Sequence, residues 1–469
     1  MANIAVFHMS PIIHNQEWQS LCYYDSFISS LIEQGNNVVQ FITNDFLRKA
    51  WSGMNEPRHK DYSDQVVEEL RNFKPDLVIT FNHSFLKGLE KILTCPIAIW
   101  EADSISYFCD TDTIRANPER YHFIAFSDFG LRDFNMKLNA PSHQTHRIRN
   151  ATAVKSKATE KKYNISFIGT HFQIPRNVMM ILRKHPTEML DIIRIIEDTS
   201  EEHAITVMKE HGISPKDLPT ADVLFCKTGQ IRNQILDLVS PLGLTIFGDP
   251  AWKNCYPFSL NLALAYHDDL VFSLEHNQTV YNQSKIAINI SHGQAVTAYP
   301  WRVLDILASD AVLVSDSKKD LVADFGNKVP LQLYQSPVES YEICQKLLKD
   351  QPMRDDIVAQ ANAAIEENYR WHHRFPELEN IFSIQLFHPG KTGTYKIFQV
   401  KERKLDMLMQ TMVNKGANGL ATLKSKKQTI SFKKKGLAKL LDILPNALYF
   451  AIYKIYSTKK SANRKPYQG

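Results

Sequence analysis

The chain has 469 residues, of which 44% are hydrophobic and 10% aromatic, so it is long enough for two or three domains with substantial cores. Its six cysteines are scattered without CxxC spacing, which argues against a zinc site or a disulfide framework and favours a reducing cytoplasm. Neither a run of about 18 apolar residues nor a basic signal-peptide region is present, so we expect no transmembrane helix and no secretory signal.

Charge is distributed unevenly along the chain. Residues 401–469 hold 16 basic and three acidic residues, a net charge of +13. The remainder holds 39 basic and 47 acidic residues, a net charge of −8. A strongly basic segment after a mildly acidic body predicts that the tail has a partner of its own.

Strand and helix patterns alternate in the first 150 residues. Strands are predicted at Asn3–His8, Asn37–Thr43, Asp76–Phe81, Pro96–Trp100 and His122–Phe126. Helices are predicted over stretches such as Gln19–Gln34 and Tyr62–Phe73. This alternation favours βαβ units and a parallel sheet.

A polar, lysine-rich stretch, Thr152–Lys162, is the best linker candidate, and the α/β pattern restarts after it. Strands are then predicted at Tyr163–Gly169, Leu244–Gly248, Lys285–Ile290, Ala311–Ser315 and Leu331–Tyr334. Helices are predicted at Pro175–Lys184, Trp301–Ala308, Ser340–Lys349 and Met353–Tyr369, and within the largely helical region 186–240. We therefore expect two α/β domains, 1–155 and 156–390, followed by a tail, 391–469.

Residues 281–325 carry the most informative pattern, predicted as strand, loop, helix, strand and loop. A helix followed by an apolar strand that ends at an Asp is half of a nucleotide-binding α/β unit. Arg302 and Asp305 lie three residues apart and share one helix face. They offer a cation for a diphosphate and a carboxylate for ribose hydroxyls. The alternative, from spacing alone, is a surface salt bridge.

This segment resembles the donor-binding signature of the GT-B glycosyltransferases, in the group that includes the CgeB-type spore-coat proteins. The matching positions are Tyr281, Asn282, Ser284, Lys285, Asn289, Arg302, Asp305, Ala308, Ser309, Ser315 and Asp316. Asp310 stands where the family usually has Gly, and Asp305 replaces the more usual Glu. Further motifs in the family order occur at 96–108, 122–134, 146–154, 163–176, 244–252 and 369–382.

The resemblance implies a GT-B architecture, in which two Rossmann-like, doubly wound parallel-sheet domains face each other across a cleft. The first domain would bind the acceptor, and the second would bind the nucleotide sugar at the carboxyl ends of its strands. The donor-binding residues implied are Gly169, His171, Arg176, Lys285, Asn289, Arg302 and Asp305. Alternatively, Arg176 and Lys285 are solvated charges and Asn289 caps a loop.

An inverting enzyme of this family takes its general base from the first domain. Asp103 is the first candidate and His14 the second, since both follow predicted strands; either side chain can instead simply cap a loop. Other residues after first-domain strands are Glu17, His83 and Glu101. Retaining relatives carry a Glu at the position of Thr297, which argues against their mechanism without establishing inversion.

We expect neither a metal nor another cofactor, with the nucleotide sugar serving as a co-substrate. Asp110 and Asp112 form a DxD tripeptide, but it does not directly follow a buried strand. GT-B enzymes as a class use basic side chains and helix dipoles in place of such a metal. The chain has no GxGxxG and no Walker A loop, which disfavours a dehydrogenase or an ATPase.

The basic tail contains apolar residues at helical spacing over Gly436–Tyr456, after the lysine-rich runs 424–427 and 433–435. Asp442, Pro445 and Lys454 interrupt it, so we expect it to lie in a membrane interface and not to span the bilayer. A disordered tail and a helix docked on its own protein are the alternatives. A nucleic-acid partner is not expected.

Together these features predict a cytoplasmic glycosyltransferase that associates peripherally with the inner face of the plasma membrane. It would move a sugar from a nucleoside-diphosphate or CMP sugar to a cell-surface glycan or lipid-linked acceptor in polysaccharide biosynthesis. Two alternatives remain open. One is a catalytically degenerate GT-B scaffold, suggested by the departures at Ser104, Thr297 and Asp310. The other is a nucleotide-sugar epimerase of the same shape.

Overall fold

The computed structural model describes residues 1–10, 12–14, 17–43, 60–84, 88–105, 108, 110–172, 209–210, 212, 220–256 and 259–398. The strands in chain order are β1 (Asn3–His8), β2 (Ile13–His14), β3 (Glu17–Trp18), β4 (Asn37–Ile42), β5 (Leu77–Phe81), β6 (Ile97–Trp100), β7 (His122–Ala125), β8 (Thr145–Arg147), β9 (Tyr163–Gly169), β10 (Leu244–Gly248), β11 (Ser284–Asn289), β12 (Val312–Asp316), β13 (Gln332–Tyr334) and β14 (Tyr395–Phe398).

The α-helices alternate with these strands. They are α1 (Cys22–Glu33), α2 (Lys60–Phe73), α3 (Leu89–Ile92), α4 (Thr111–Ala116), α5 (Asp128–Leu138), α6 (Thr220–Val239), α7 (Leu260–Ala265), α8 (Leu274–Asn282), α9 (Arg302–Leu307), α10 (Lys319–Phe325), α11 (Pro337–Lys349), α12 (Gln351–Asn368) and α13 (Phe375–Phe382). Short 3-10 helices occur at Pro118–Arg120, Ser142–Gln144, Ser240–Leu242, Pro250–Cys255 and Trp371–His373.

The first sheet contains seven parallel strands in the order β14-β4-β1-β5-β6-β7-β8. Its central strands are apolar and almost completely buried, as expected for parallel strands covered by helices on both faces. The strand predictions for this region are confirmed to within a residue or two at their ends.

The second sheet contains five parallel strands in the order β10-β9-β11-β12-β13. Its core includes residues from these strands and from α6, α9, α11 and α12. The predicted strands are again present, but the loop predicted after β12 is wrong, because Lys319–Phe325 forms α10. The predicted helix Pro175–Lys184 lies outside the described residues.

The predicted linker is bonded to α8 and to the loop before β12. The backbone N–H of Lys155 donates to Gln278 at 2.8 Å, and the Thr159 hydroxyl donates to the Asn282 carbonyl at 2.9 Å. Lys161 Nζ lies 2.6 Å from the carboxylate of Asp310, the residue that replaces the usual Gly. The stretch between β8 and β9 is therefore held by hydrogen bonds and an ion pair.

After α12 the chain returns to the first sheet. Trp371 and α13 pack in the core of that sheet, and β14 adds a parallel edge strand next to β4. Residues 1–170 and 230–401 form one compact unit that contains both sheets, whereas 171–229 and 402–469 form a second unit. The division at residue 155 and the separate tail stay predictions. Within the described residues, no helix has both the length and the apolar character needed to cross a bilayer.

Candidate functional site

Two guanidinium groups meet at the carboxyl ends of β9 and β11, which pair side by side. Arg302, near the start of α9, donates from Nη1 to the carbonyl of Ile168 at 3.1 Å. Arg232, on α6, donates from Nη1 to the Thr170 carbonyl at 2.6 Å and from Nη2 to the Ile290 carbonyl at 3.1 Å. The backbone at the two strand ends thus fixes both cations.

Arg232 is only 2% exposed, and its guanidinium lies 5.3 Å from the centre of the Phe167 ring. Burial and then the charge of Arg302 lower its pKa well below the usual value, while Asp316 and Asp249 act in the opposite direction. Two positive charges that interact in this way favour an anion between or beside them. Guanidinium groups match the geometry of phosphate oxygens, so a diphosphate is the anion that this pair suits.

His292 lies in the loop that follows β11, beside the same two arginines. Burial and the charges of Arg232 and Arg302 lower the pKa of His292 to about 3. The ring is therefore neutral at physiological pH. Its Nδ1 accepts from the backbone N–H of Gln294 at 3.1 Å, which places the ring proton on Nε2. The imidazole can accordingly donate a hydrogen bond without adding charge.

Glycines line the ends of β9 and β10, where Gly169 and Gly248 are direct neighbours. A Cβ on Gly169 would lie 2.7 Å from the Phe167 ring and 3.2 Å from Arg302 Nη1. Gly248 has φ of +103°, which L residues rarely adopt. The close approach of backbone and guanidinium at this edge therefore depends on glycine. The structure brings Gly169 and Arg302 together, and their contact with a donor stays a prediction.

Asn289 is completely buried and joins the ends of β11 and β12. Its Nδ2 donates to Ser315 Oγ at 3.0 Å and to Asp316 Oδ1 at 3.2 Å. The same Asp316 oxygen accepts from the backbone N–H and the hydroxyl of Ser291. Asn289 thus shapes the loop that carries His292, and a direct bond to the donor stays a prediction.

Asp305 is buried, with 5% exposure, and it contacts the other half of the molecule. One carboxylate oxygen accepts from the Thr152 hydroxyl at 2.6 Å, and the other lies 3.5 Å from the Cys22 thiol. Burial raises the pKa of Asp305 to about 6. The surface salt bridge suggested by spacing alone is wrong. The contact of Asp305 with ribose stays a prediction. Ribose hydroxyls would have to replace Thr152 and Cys22 as the hydrogen-bond donors to this carboxylate.

The structure does not place the other residues predicted to bind the sugar donor beside Arg302. Lys285 is near the start of β11, roughly 13 Å along the strand from Asn289. Its Nζ donates to Asn164 Oδ1 at 2.8 Å, so the structure does not bring it together with Arg302. His171 belongs to the second compact unit. Arg176 lies outside the described residues.

Asp103, the first candidate base, follows β6 of the first sheet. Its Oδ2 accepts from Asn82 Nδ2 and its Oδ1 accepts from Gln294 Nε2, both at 2.8 Å. Burial raises the pKa of Asp103, and these two hydrogen bonds lower it. Gln294 belongs to the loop that carries His292. The candidate base therefore lies against the loop of the candidate donor site.

His14, the second candidate base, lies in the two-stranded β2–β3 hairpin. Its side chain is exposed and its ring centre lies 6.2 Å from that of Phe272. Glu101 precedes Asp103 by two residues and is buried. Burial, followed by the charges of Asp133 and Asp103, raises the pKa of Glu101 to about 8. Glu101 is therefore protonated at neutral pH, and of the three only Asp103 has a hydrogen bond to the donor loop among the described contacts.

The DxD tripeptide has local partners. Asp110 caps α4, where its carboxylate accepts from the backbone N–H of Thr113 at 3.0 Å, and Asp112 forms an ion pair with Arg115. In the part of the chain that the structure describes, no three His, Cys, Asp or Glu side chains are grouped to hold a metal ion. Independence from a metal stays a prediction.

Arg232, His292 and Gln294 are candidate site residues that the sequence reasoning missed. Arg232 shares a helix face with the buried Thr228, Ile235, Leu236 and Val239. A charged residue on an otherwise buried helix face is rare, so this spacing is a signal that could have identified it. His292 and Gln294 flank Gly293 in a loop, where periodicity carries no such signal.

The chain is similar to known proteins in sequence over one region and in fold over most of its length. Residues 232–380 match a family model described as glycosyl transferase-like. The chain resembles sucrose-phosphate synthase from Thermosynechococcus elongatus at 9% identity and a TM-score of 0.50, over 81% of this chain and 98% of that one. It also matches WaaG, a glycosyltransferase involved in lipopolysaccharide biosynthesis, at 10% identity and a TM-score of 0.45, over 81% and 99% of the two chains. No curated protein matches the chain.

The family match begins at Arg232 and contains Asn289, His292, Arg302 and Asp305. The likeness to the synthase shows that the two parallel sheets form the GT-B fold, as predicted. Residues 232–380 thus resemble the glycosyl transferase-like family, and the chain is a glycosyltransferase of the GT-B fold. Membership of the CgeB-type group stays a prediction.

Proposed function

We propose that this glycosyltransferase transfers a sugar from a nucleoside-diphosphate sugar to a hydroxyl group of a cell-surface glycan or a lipid-linked acceptor. The observation that carries the proposal is the pair of guanidiniums, Arg232 and Arg302, fixed at the ends of β9 and β11. A diphosphate leaving group gains negative charge as the glycosidic bond breaks, and fixed cations stabilise that charge. The neutral His292 would donate to the same phosphate oxygens.

In the proposed reaction, the acceptor oxygen attacks the anomeric carbon and the bond from that carbon to the phosphate oxygen breaks. The bonding electron pair leaves with the nucleoside diphosphate, and Asp103 takes the acceptor proton. Asp103 suits this role because it lies at a strand end and contacts the donor loop through Gln294. The guanidiniums supply the positive charge that the leaving group needs, so the proposal requires no metal.

The basic tail, residues 401–469, is the part of the chain that would contact the membrane. We assign residues 401–469 to contact with the anionic inner face of the plasma membrane, because the segment combines a net charge of +13 with apolar residues at helical spacing. Residues 399–469 lie outside the described part of the chain. A peripheral position there would bring the enzyme to lipid-linked acceptors.

Calorimetric titration of UDP, GDP, CMP and dTDP tests the donor site. We expect one nucleotide to bind to the wild type, and Arg302→Met and Arg232→Met each to weaken its binding at least tenfold, because each variant loses charge-assisted bonds worth roughly 1.5–3 kcal/mol. Arg132→Met is the matched control, since Arg132 is exposed on α5. Folding of every variant is checked by circular dichroism.

A folded wild type that binds none of the four nucleotides would sink the transferase proposal and favour the degenerate scaffold. Binding that is equally weakened in Arg132→Met would remove the argument for the paired guanidiniums. An epimerase is distinguished by its product: it returns an altered nucleotide sugar, whereas a transferase releases the nucleotide.

A further inference from the structure

A single side chain from the second sheet reaches the candidate base of the first. Gln294 Nε2 donates to Asp103 Oδ1 at 2.8 Å, and Gln294 Oε1 accepts from the backbone N–H of Ser104 at 3.1 Å. Both polar atoms of one amide therefore contact the segment that follows β6. The paired geometry fixes the orientation of the amide, because exchanging its oxygen and nitrogen would break both bonds.

The loop that carries Gln294 is fixed next to the candidate donor site. The backbone N–H of Gln294 donates to His292 Nδ1, and His292 lies close enough to Arg232 and Arg302 for their charges to lower the pKa of its ring. Lys318 Nζ donates to the Ala295 carbonyl at 2.8 Å. Movement of the residues around the diphosphate would consequently move Gln294.

Asp103 is held from both sides. Asn82 donates to one carboxylate oxygen, and the Asn82 side-chain oxygen accepts from the backbone N–H groups of Ala102 and Asp103, each at 2.8 Å. Gln294 holds the other oxygen. A carboxylate has about four acceptor positions, so both oxygens retain room for the proton of an acceptor hydroxyl.

We propose that Gln294 is a positioning residue, which orients the Asp103 carboxylate for proton abstraction and links it to the loop beside the diphosphate site. This inference rests on the proposed function, in which Asp103 is the base. The loop must be in place for the carboxylate to be aligned. The loop beside the diphosphate site and the Asp103 carboxylate are thereby connected through one amide.

The hydrogen bond from Gln294 to Asp103 stabilises the charged form of the carboxylate. It lowers the pKa of Asp103, whereas burial raises it. The titratable groups that interact with Asp103 are Glu101 and Tyr24. Loss of the Gln294 donor should therefore raise the pKa of Asp103 and shift the acidic limb of the rate profile to higher pH.

The test compares Gln294→Met, which keeps the length of the side chain, with Gln294→Glu, which replaces the donor by a carboxylate. Hydrolysis of UDP-glucose, GDP-mannose, CMP-sialic acid and dTDP-glucose is measured from pH 5 to 9 by nucleotide release. For whichever donor the wild type turns over, we expect kcat to fall about tenfold in Gln294→Met, with nucleotide affinity within twofold of the wild type. The acidic limb should shift up by about one pH unit, and further in Gln294→Glu.

The exposed Gln385 provides the matched control, Gln385→Met, which should leave the profile unchanged. A general loss of activity with an unmoved acidic limb would overturn the positioning role. So would an equal loss of nucleotide affinity, because it would assign Gln294 to donor binding.

A double-mutant cycle keeps this test separate from the proposed function. The unfolding midpoints of the wild type, Gln294→Met, Asp103→Asn and the double variant require no substrate. Non-additive shifts would show that the two side chains are coupled, even if no nucleotide sugar were turned over and the proposed function failed. Additive shifts, together with turnover by the wild type, would reject the coupling while the transferase proposal stands.

Discussion

Asp305 illustrates how a residue identified by its motif can acquire a role from distant contacts. Its partners, Thr152 and Cys22, lie 153 and 283 residues away in the sequence. Neither contact has a local signature, so the sequence could place Asp305 on a helix beside Arg302 but could not reveal its burial. The carboxylate now links the linker and α1 to α9.

The raised pKa of Asp305 predicts how stability depends on pH. The folded state keeps this proton up to about pH 6, whereas an unfolded Asp releases it near pH 4. Because the folded state binds more protons between these values, stability should fall as pH rises from about 4 to 6 and then level off. Relative to Asp305→Asn, the wild type should lose up to about 3 kcal/mol of unfolding free energy over that range.

Urea unfolding of the wild type and Asp305→Asn at pH 4, 5, 6 and 7 measures this difference. Asp355→Asn, which removes an exposed carboxylate from α12, controls for the loss of a surface charge. A constant difference between wild type and Asp305→Asn across the range would contradict the raised pKa.

Other candidate site residues show which positions sequence reasoning can place at a strand end. Gly169 and Arg302 were identified because strand ends and helix starts follow from hydrophobic patterning, and ligands of parallel sheets bind there. Lys285 lies at the beginning of β11, at the opposite edge of the sheet, so the structure separates it from Arg302 and its contact with the donor stays a prediction. Arg232 was missed because it donates to the backbone carbonyls of Thr170 and Ile290, which follow β9 and β11. A pattern of side chains in the sequence does not indicate such contacts.

At the scale of elements, the buried parallel strands were predictable and the edge strand β14 was not. β1, β4 and β5 are continuous apolar runs, which is a strong signal. β14 has only four residues, mostly exposed, and its strand conformation depends on pairing with the free edge of β4. That pairing is a tertiary contact between residues more than 350 positions apart, and so no local pattern contains it.

Gly393 controls the approach of β14 to the sheet. A Cβ at this position would lie 1.8 Å from the carbonyl oxygen of Asn36, so any side chain must push the segment away. We expect Gly393→Ala to lower the free energy of unfolding by about 2 kcal/mol, as other overpacking substitutions do. Loss of the Tyr395–Gln40 hydrogen bond should accompany the change.

Urea unfolding checks the size of the effect, and amide hydrogen exchange of β4 checks its location. Gly390→Ala is the comparison, because a Cβ there meets nothing within 4 Å and only its φ of +74° opposes the substitution. An equal loss of unfolding free energy in Gly393→Ala and Gly390→Ala would contradict the close packing of Gly393. Unchanged amide hydrogen exchange in β4 would contradict it as well.

At the scale of the whole molecule, the two predicted α/β halves are joined by specific contacts. Tyr23 stacks on Trp301 with ring centres 3.7 Å apart, and the Trp371 indole donates to Ser26 at 2.7 Å. With the Asp305 and Gln294 contacts, these place both sheets in one compact unit. Two α/β halves were predictable from repeated patterning, but side chains that connect them come from separated positions and were not.

The body and the tail of the molecule carry net charges of opposite sign. The body carries −8 and residues 401–469 carry +13, so an anionic bilayer should attract the tail and repel the remainder. We expect the full chain to sediment with vesicles containing phosphatidylserine at 0.1 M salt, and to bind weakly to vesicles of phosphatidylcholine alone. Binding should decline at 0.5 M salt, because screening shortens the range of the attraction.

Lysines 433–435 adjoin the apolar stretch Gly436–Tyr456, so their charge should matter most. Replacing all three by Gln should weaken vesicle binding at least tenfold, since each basic residue near the surface contributes about 1 kcal/mol. The control replaces the exposed Lys91, Lys346 and Lys349 by Gln. This triple substitution removes the same charge from the body of the protein. Equal losses in the two triple variants would mean that net charge alone drives binding, and the membrane-seeking tail would have to be abandoned.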